Sequence, residues 1–218
     1  MRDLSVNDLL TLPGAALWTL ALSLMAFVGG GLVGGLIALG RTSRAGWLRT
    51  VCAAYIQVLQ GTPLLIQLFI WYFGLSVAGM NLSPLVAAAI AFTLNSSAFF
   101  AEIWRGSIEA IPRPQWEAAA SLGLTRLQQI NYVIVPQAVR IALAPTVGFM
   151  VQIIKNTSLA ALIGFIELAR QGQIITNVTF APMPVYMTVG AIYFVICFPL
   201  SILSRHLERR FHAGRAAH

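Results

Sequence analysis

AALWTLALSLMAFVGGGLVGGLIALG, residues 15–40, sets the apolar pattern of the whole chain. None of its side chains is charged, and it exceeds the roughly 20 apolar residues that a helix needs to cross the hydrocarbon core of a bilayer. Four runs of the same character follow at 51–76, 84–104, 141–166 and 185–204, which predicts an all-α membrane protein with five transmembrane helices. The bulk composition agrees. Of 218 residues, 58% are hydrophobic and 10% charged, where soluble domains carry roughly 25% charged residues, and the mean hydropathy is +0.78. With no internal repeat, low-complexity tract or flexible linker, residues 1–218 read as a single membrane domain. A cleavable signal peptide is not expected, because the first run is too long and lacks a basic flank and a cleavage site.

The charges predict how the runs are oriented. Eleven of the fourteen basic residues fall in three stretches: Arg41, Arg44 and Arg49 after the first run; Arg105, Arg113, Arg126 and Arg140 between the third and fourth; Arg205, Arg209, Arg210 and Arg215 in the tail. By the positive-inside rule these stretches are cytoplasmic, which puts the N-terminus outside and the C-terminus in the cytoplasm. The net charge of +7 is then a topology signal, and no nucleic-acid partner is expected. Several enzyme classes are disfavoured as well. All three histidines, His206, His212 and His218, lie in the tail, and Cys52 and Cys197 each sit in an apolar run, so neither a buried catalytic base nor a metal site is expected. No GxxxxGK[ST] phosphate loop is present, which argues against ATP hydrolysis by that route.

Within the runs, Gly30/Gly34 and Gly31/Gly35 are small-xxx-small pairs that admit a second helix at close range, from this chain or from another copy. The polar residues Asn95 and Ser96 in the third run, with Gln152, Lys155, Asn156, Thr157 and Ser158 in the fourth, are candidates for a substrate pathway, and helix–helix hydrogen bonding accounts for them equally well. Lys155 lies roughly 22 Å into its helix, beyond the midplane. Glu102 lies near the opposite membrane face, so the two are not expected to pair directly unless the fourth span is broken. Lys155 is left to meet a substrate carboxylate, carbonyls freed near Pro145 and Gly148, or a neighbouring helix. Glu102 is expected to pair with Arg105.

The connector at 105–140 has an architecture of its own. Pro112 and Pro114 suit a helix start, with Glu117 in the first turn, where the helix dipole favours a carboxylate. Gly123 stands where a C′ glycine stops that helix. Thr125 and Gln128 form a capping box for a second short helix, which Pro136 is expected to end. Such a hairpin either lies on the bilayer surface or docks into a groove of another protein.

Glu117-Ala118-Ala119, three residues, Gly123, nine residues and Val133-Ile134-Val135-Pro136 together resemble the EAA loop of ABC importer permeases, with pattern E-A-A-x3-G-x9-I-x-L-P. Val133 and Val135 replace the usual Ile and Leu. Four further stretches are similar to the polar amino-acid uptake family, and the likeness covers nearly the whole chain. They are Gly61-Thr62-Pro63-Leu64-Leu65, Ala101-Glu102-Ile103-Trp104-Arg105-Gly106, Gln115-Trp116-Glu117 and Lys155-Asn156-Thr157-Ser158-Leu159. Departures are Gln60 where Arg is common, Pro114 for Gly, Asn156 for Asp and Gly148 for a frequent Asn.

The resemblance implies a type I importer permease in the bacterial cytoplasmic (inner) membrane. In that family two permease subunits, identical or paralogous, pair with a dimer of ABC ATPase subunits that binds ATP and Mg, so no cofactor is expected in this chain and no enzymatic activity of its own. A periplasmic or lipid-anchored binding protein delivers the amino acid. The resemblance further implies that Glu117, Ala118, Ala119, Gly123 and Pro136 belong to the ATPase-coupling element. A stand-alone secondary transporter or channel is the competing reading. Five spans without an inverted repeat, joined by an elaborate hairpin, weigh against it.

Overall fold

A computed structural model describes residues 3–43 and 45–212, and every element among them is helical. Arg44, Arg215 and His218, named above among the basic residues and histidines, lie outside the described residues. The elements in chain order are α1 (Val6–Leu9), α2 (Leu12–Arg41), α3 (Gly46–Gly61), α4 (Leu64–Phe69), a π-helical segment (Ile70–Gly74), α5 (Leu75–Val77), α6 (Pro84–Glu109) and α7 (Arg113–Ser121). Then come α8 (Arg126–Gln128), a second π-helical segment (Gln129–Ile134), α9 (Val135–Asn156), a 3-10 segment (Thr157–Ile163), α10 (Leu168–Thr179) and α11 (Pro182–His212).

Four helical runs are long and apolar enough to cross a membrane, and five if the bent pair α3 with α4–α5 is taken as one span. That pair departs from the expected straight run at 51–76. The chain turns by 100° at Thr62 and Pro63. The cause is local: a residue before proline is pushed out of the helical region, and Thr62 is extended at φ −109°, ψ 137°.

A second departure is at Pro136, which was expected to end a short helix. Instead the chain stays helical from α8 through α9. The π segment just before Pro136 widens the turn, so the hydrogen-bond ladder is already shifting register where the proline lacks an N–H. The connector expected at 105–140 is therefore helical at both ends. Only α7 and its flanking turns lie outside the two long helical runs on either side.

The core is built on close helix approach. α2 and α6 run side by side in the same direction: a Cβ added at Gly30 would lie 2.7 Å from the Ser96 Cβ, and one at Gly34 would lie 2.8 Å from the Ser97 carbonyl oxygen. The Gly30/Gly34 pair thus packs within the chain, where lipid leaves van der Waals contact as the main attraction between helices. Leu22, Ala26, Ala88, Phe92 and Phe100 bury themselves along this seam. α3 joins it through the Tyr55 hydroxyl, 2.7 Å from Ser97 Oγ. α9 runs antiparallel to α6, with Trp104 Nε1 donating to Thr146 Oγ1 at 3.1 Å and Phe99 stacked on Phe149. α11 runs antiparallel to α9, with Ser204 Oγ donating to the Ala144 carbonyl at 2.9 Å and Cys197 buried against Val151 and Ile154.

These directions gather Arg41, Arg49, Arg105, Arg113, Arg126, Arg140, Arg205, Arg209 and Arg210 at one end of the bundle. α10 closes the other end, where Gln171 Nε2 donates to Thr11 Oγ1 at 2.9 Å.

Candidate functional site

The bend at Thr62 has a polar consequence. Carbonyls at the end of α3 lose their helical partners, and hydrocarbon offers no water to replace them. Gln67, 5% exposed and one turn into α4, supplies the donor: its Nε2 lies 2.8 Å from the Leu59 carbonyl oxygen, 3.0 Å from that of Thr62 and 2.9 Å from Thr62 Oγ1. Asn95 of α6 joins from the side, with Nδ2 3.4 Å from both the Leu59 carbonyl and Gln67 Oε1.

Against this break lies a cavity of about 320 Å³. The end of α3 contributes Gln60 and Thr62, α6 contributes Asn95 and Phe99, and α9 contributes Phe149, Gln152 and Asn156. The three α9 positions are spaced i, i+3, i+7 and so share one helix face. Gln60 Nε2 donates to the Ala98 carbonyl at 3.3 Å, and Gln152 Nε2 to Asn156 Oδ1 at 3.0 Å. The lining is amide, hydroxyl, aromatic and aliphatic, with no charged side chain.

Of the expected pathway residues, Asn95, Gln152 and Asn156 meet at this cavity. Ser96, Lys155, Thr157 and Ser158 do not line it. Ser96 is turned toward Gly30 of α2. Lys155 is exposed and off the cavity wall. Thr157 is fully buried and donates to the Ile154 carbonyl at 2.7 Å, while Ser158 donates to that of Lys155 at 2.8 Å. The tightening from α-helix to 3-10 at Thr157 rotates the last residues of the motif away. Gly148 faces Ser204 of α11, not the cavity. Glu102 is paired with Arg105, which also holds Glu109.

Sequence reasoning missed Gln60, Thr62, Gln67, Phe99 and Phe149. The proline at 63 was the available signal, since a helix break inside an apolar run creates orphan carbonyls that need side-chain donors. It also missed Glu167, which is 0% exposed. Its carboxylate caps α10 by accepting from the Arg170 N–H at 2.8 Å, and accepts from the Tyr193 hydroxyl at 2.8 Å and Thr19 Oγ1 at 3.3 Å. Among the described residues no group of His, Cys, Asp and Glu is placed to hold a metal.

The α7 hairpin is closed by local hydrogen bonds. Gly123 has φ +73°, a left-handed conformation that glycine adopts without a Cβ clash. Its N–H donates to the Ala120 carbonyl at 2.9 Å and that of Leu124 to Ala119 at 3.4 Å, the paired bonds of a Schellman stop. The Thr125 N–H then donates to Gln128 Oε1 at 2.9 Å, forming the expected capping box. Arg126 lies 4.0 Å over the Trp116 ring. Ala119 is buried, while Glu117, Ala118, Leu122 and Leu127 are exposed. The helix that begins beside this hairpin at Arg126 carries Gln152 and Asn156 at the cavity, roughly 40 Å away at 1.5 Å per residue.

Comparison with known proteins bears on this arrangement. The chain is 39% identical over 194 residues to the probable amino-acid ABC transporter permease protein YckA of Bacillus subtilis (strain 168), covering 89% of this chain and 86% of that one. It is 38% identical over 195 residues to the glutamine transport system permease protein GlnP of Escherichia coli (strain K12), covering 88% and 89%. A solved amino acid ABC transporter with histidines shares 36% identity and superposes with a TM-score of 0.88 over 96% of this chain and 100% of that one. An inward-facing MetNI methionine ABC transporter, 19% identical with a TM-score of 0.78, shares the fold. Residues 30–213 match the family described as the binding-protein-dependent transport system inner membrane component. Several apolar helices long enough to span a bilayer agree with a multi-pass membrane protein. With most of its length matched and its helical arrangement shared, the chain belongs to the binding-protein-dependent transport system inner membrane component family.

Proposed function

We propose that the chain is the membrane-spanning permease subunit of an ATP-driven ABC importer for polar or charged amino acids. One observation carries the reading: a continuous helix joins the α7 hairpin at the basic end to the amide-lined cavity within the bundle. A partner that pushes the hairpin moves the cavity wall, which is what alternating access needs. The names of the relatives, amino-acid and glutamine transport permeases, support an amino acid as cargo.

In this reading Glu117, Ala118 and Gly123 form the surface seen by a dimer of ATPase subunits that holds ATP and Mg, Ala119 is buried beneath that surface, and Pro136 belongs to the stem that transmits the push. Exposed Leu122 and Leu127 add apolar contact. This chain is not itself an enzyme. A second permease, a copy or a paralogue, completes the membrane unit, and a periplasmic or lipid-anchored binding protein delivers substrate at the α10 end. The bent pair counts as one of five spans. Nine arginines at one end support a cytoplasmic C-terminus and an outer N-terminus in the bacterial inner membrane.

The test is uptake by the assembly reconstituted with its ATPase and binding protein. Accumulation of a labelled polar amino acid is expected to require internal ATP. Accumulation driven by an ion gradient alone, without ATP, would transfer the chain to the secondary-transporter class.

A further inference from the structure

We infer that the cavity at the α3–α4 bend selects an L-amino acid with an uncharged, hydrogen-bonding side chain, the carboxamide type above all, over cationic and anionic amino acids. The inference rests on reading this cavity as part of the transport path.

The lining fixes most of the argument. Two of its amides have orientations set by partners that only accept. Gln60 faces the Ala98 carbonyl and Asn95 the Leu59 carbonyl, so in each the nitrogen points to protein backbone. Gln67 is held the same way behind Asn95, which leaves its oxygen to receive the second Asn95 proton. The oxygens of Gln60 and Asn95 accept from no other group among the described residues. Across the cavity, Gln152 and Asn156 are bonded to each other, which leaves one amide oxygen and one amide nitrogen of the pair uncommitted. The site therefore offers several acceptors and a donor, all neutral. That set matches a carboxamide, which donates through its nitrogen and accepts through its oxygen.

Charge decides against the alternatives. A side-chain guanidinium, ammonium or carboxylate drawn into a cavity of low dielectric needs a counter-charge. Among the described residues none lines this one: Lys155 is exposed off its wall, and Glu102 and Arg105 are paired with each other. The α-ammonium and α-carboxylate present in every amino acid neutralise one another and do not discriminate. A cation held over an aromatic face would have to share rings already packed, because Phe99 and Phe149 stack on each other at 4.8 Å and Phe149 also meets Phe100 edge-on at 5.2 Å. The cavity volume of about 320 Å³ sits at the small end of ligand sites, sized for one amino acid.

The experiment is equilibrium binding of labelled L-glutamine, L-arginine and L-glutamate to the permease purified with its ATPase in lipid nanodiscs, without binding protein. L-Glutamine is expected to bind about tenfold or more tightly than either charged amino acid. Gln152→Glu and Asn156→Asp, at positions that are exposed and half-buried, are each expected to swing the preference by about tenfold or more toward L-arginine. Equal or tighter binding of L-arginine or L-glutamate by the unaltered protein overturns the inference. So does glutamine selectivity that both variants leave intact, and so does the absence of any binding. ATP-dependent uptake by the full assembly is read separately, so the importer reading stands or falls on its own result.

Discussion

Gln67 shows how a single side chain holds a bent span together. Its amide reaches three oxygens freed by the break at Thr62, in a place where water is excluded. Gln67→Leu keeps the volume and removes the donor, leaving buried carbonyls unpaired at a cost of about 1–3 kcal/mol. The expected result is a lower thermal midpoint of the purified protein in detergent, together with impaired uptake. An unchanged midpoint would mean that other groups satisfy those carbonyls. At this scale the sequence was partly legible. Pro63 announced a break, whereas the identity of the donor depended on which side chain the folded chain turned inward. Asn95 and Ser96 are neighbours in sequence, yet one meets the cavity and the other packs on Gly30. Helical rotation of about 100° per residue separates them, and only packing sets where that rotation starts.

Among the elements, α7 and α10 are short helices between the long spans, α7 before the helix that begins at Arg126 and α10 at the opposite end. The α7 hairpin depends on the left-handed backbone at Gly123. Gly123→Val places a β-branched residue there, a strain of about 1–2 kcal/mol or more, and the hairpin is expected to re-aim while the spans remain folded. ATP-driven uptake should fall while the protein still reaches the membrane in normal amount, measured by uptake alongside immunoblotting of membranes. Normal uptake by Gly123→Val would separate this turn from coupling. α10 is pinned through Glu167, whose carboxylate is shared with α2 by Thr19 and with α11 by Tyr193. Tyr193→Phe removes one donor from a buried carboxylate, a loss of about 1–3 kcal/mol. Amide hydrogen exchange in α10 is expected to accelerate, with α6 unaffected. Equal protection in both proteins would show that α10 is held by its apolar face alone.

Taken whole, the molecule is polarised. The parallel pairing of α2 with α6 and the antiparallel pairing of α6 with α9 and α9 with α11 bring the arginine-rich ends together beside the α7 hairpin. α10 and the Glu167 cluster close the opposite end. If the basic end is cytoplasmic, a cysteine at Leu122, which is 79% exposed at the hairpin tip, should react with a membrane-impermeant maleimide only after the membrane is opened. Cys52 and Cys197 are both buried and give a low background. Labelling of intact cells at Leu122→Cys would invert the topology.

The amino-acid sequence alone determined what depends on local order. Apolar runs long enough to span a bilayer, the proline and glycine punctuation of the α7 hairpin, the Thr125 capping box and the Glu102–Arg105 pair each follow from residues within a few positions of one another. Tertiary structure decided what depends on residues far apart in the chain. It directed the Gly30/Gly34 pair onto α6, carried the helix through Pro136 on a widened turn, and buried Glu167 beneath Tyr193 and Thr19. The cavity itself is assembled from residues between Leu59 and Asn156 on four separate helices, α3, α4, α6 and α9. Hydrophobicity and propensity act along the chain and can be read from it. Which polar faces meet is set by how closely whole helices approach, and that emerges only when they pack.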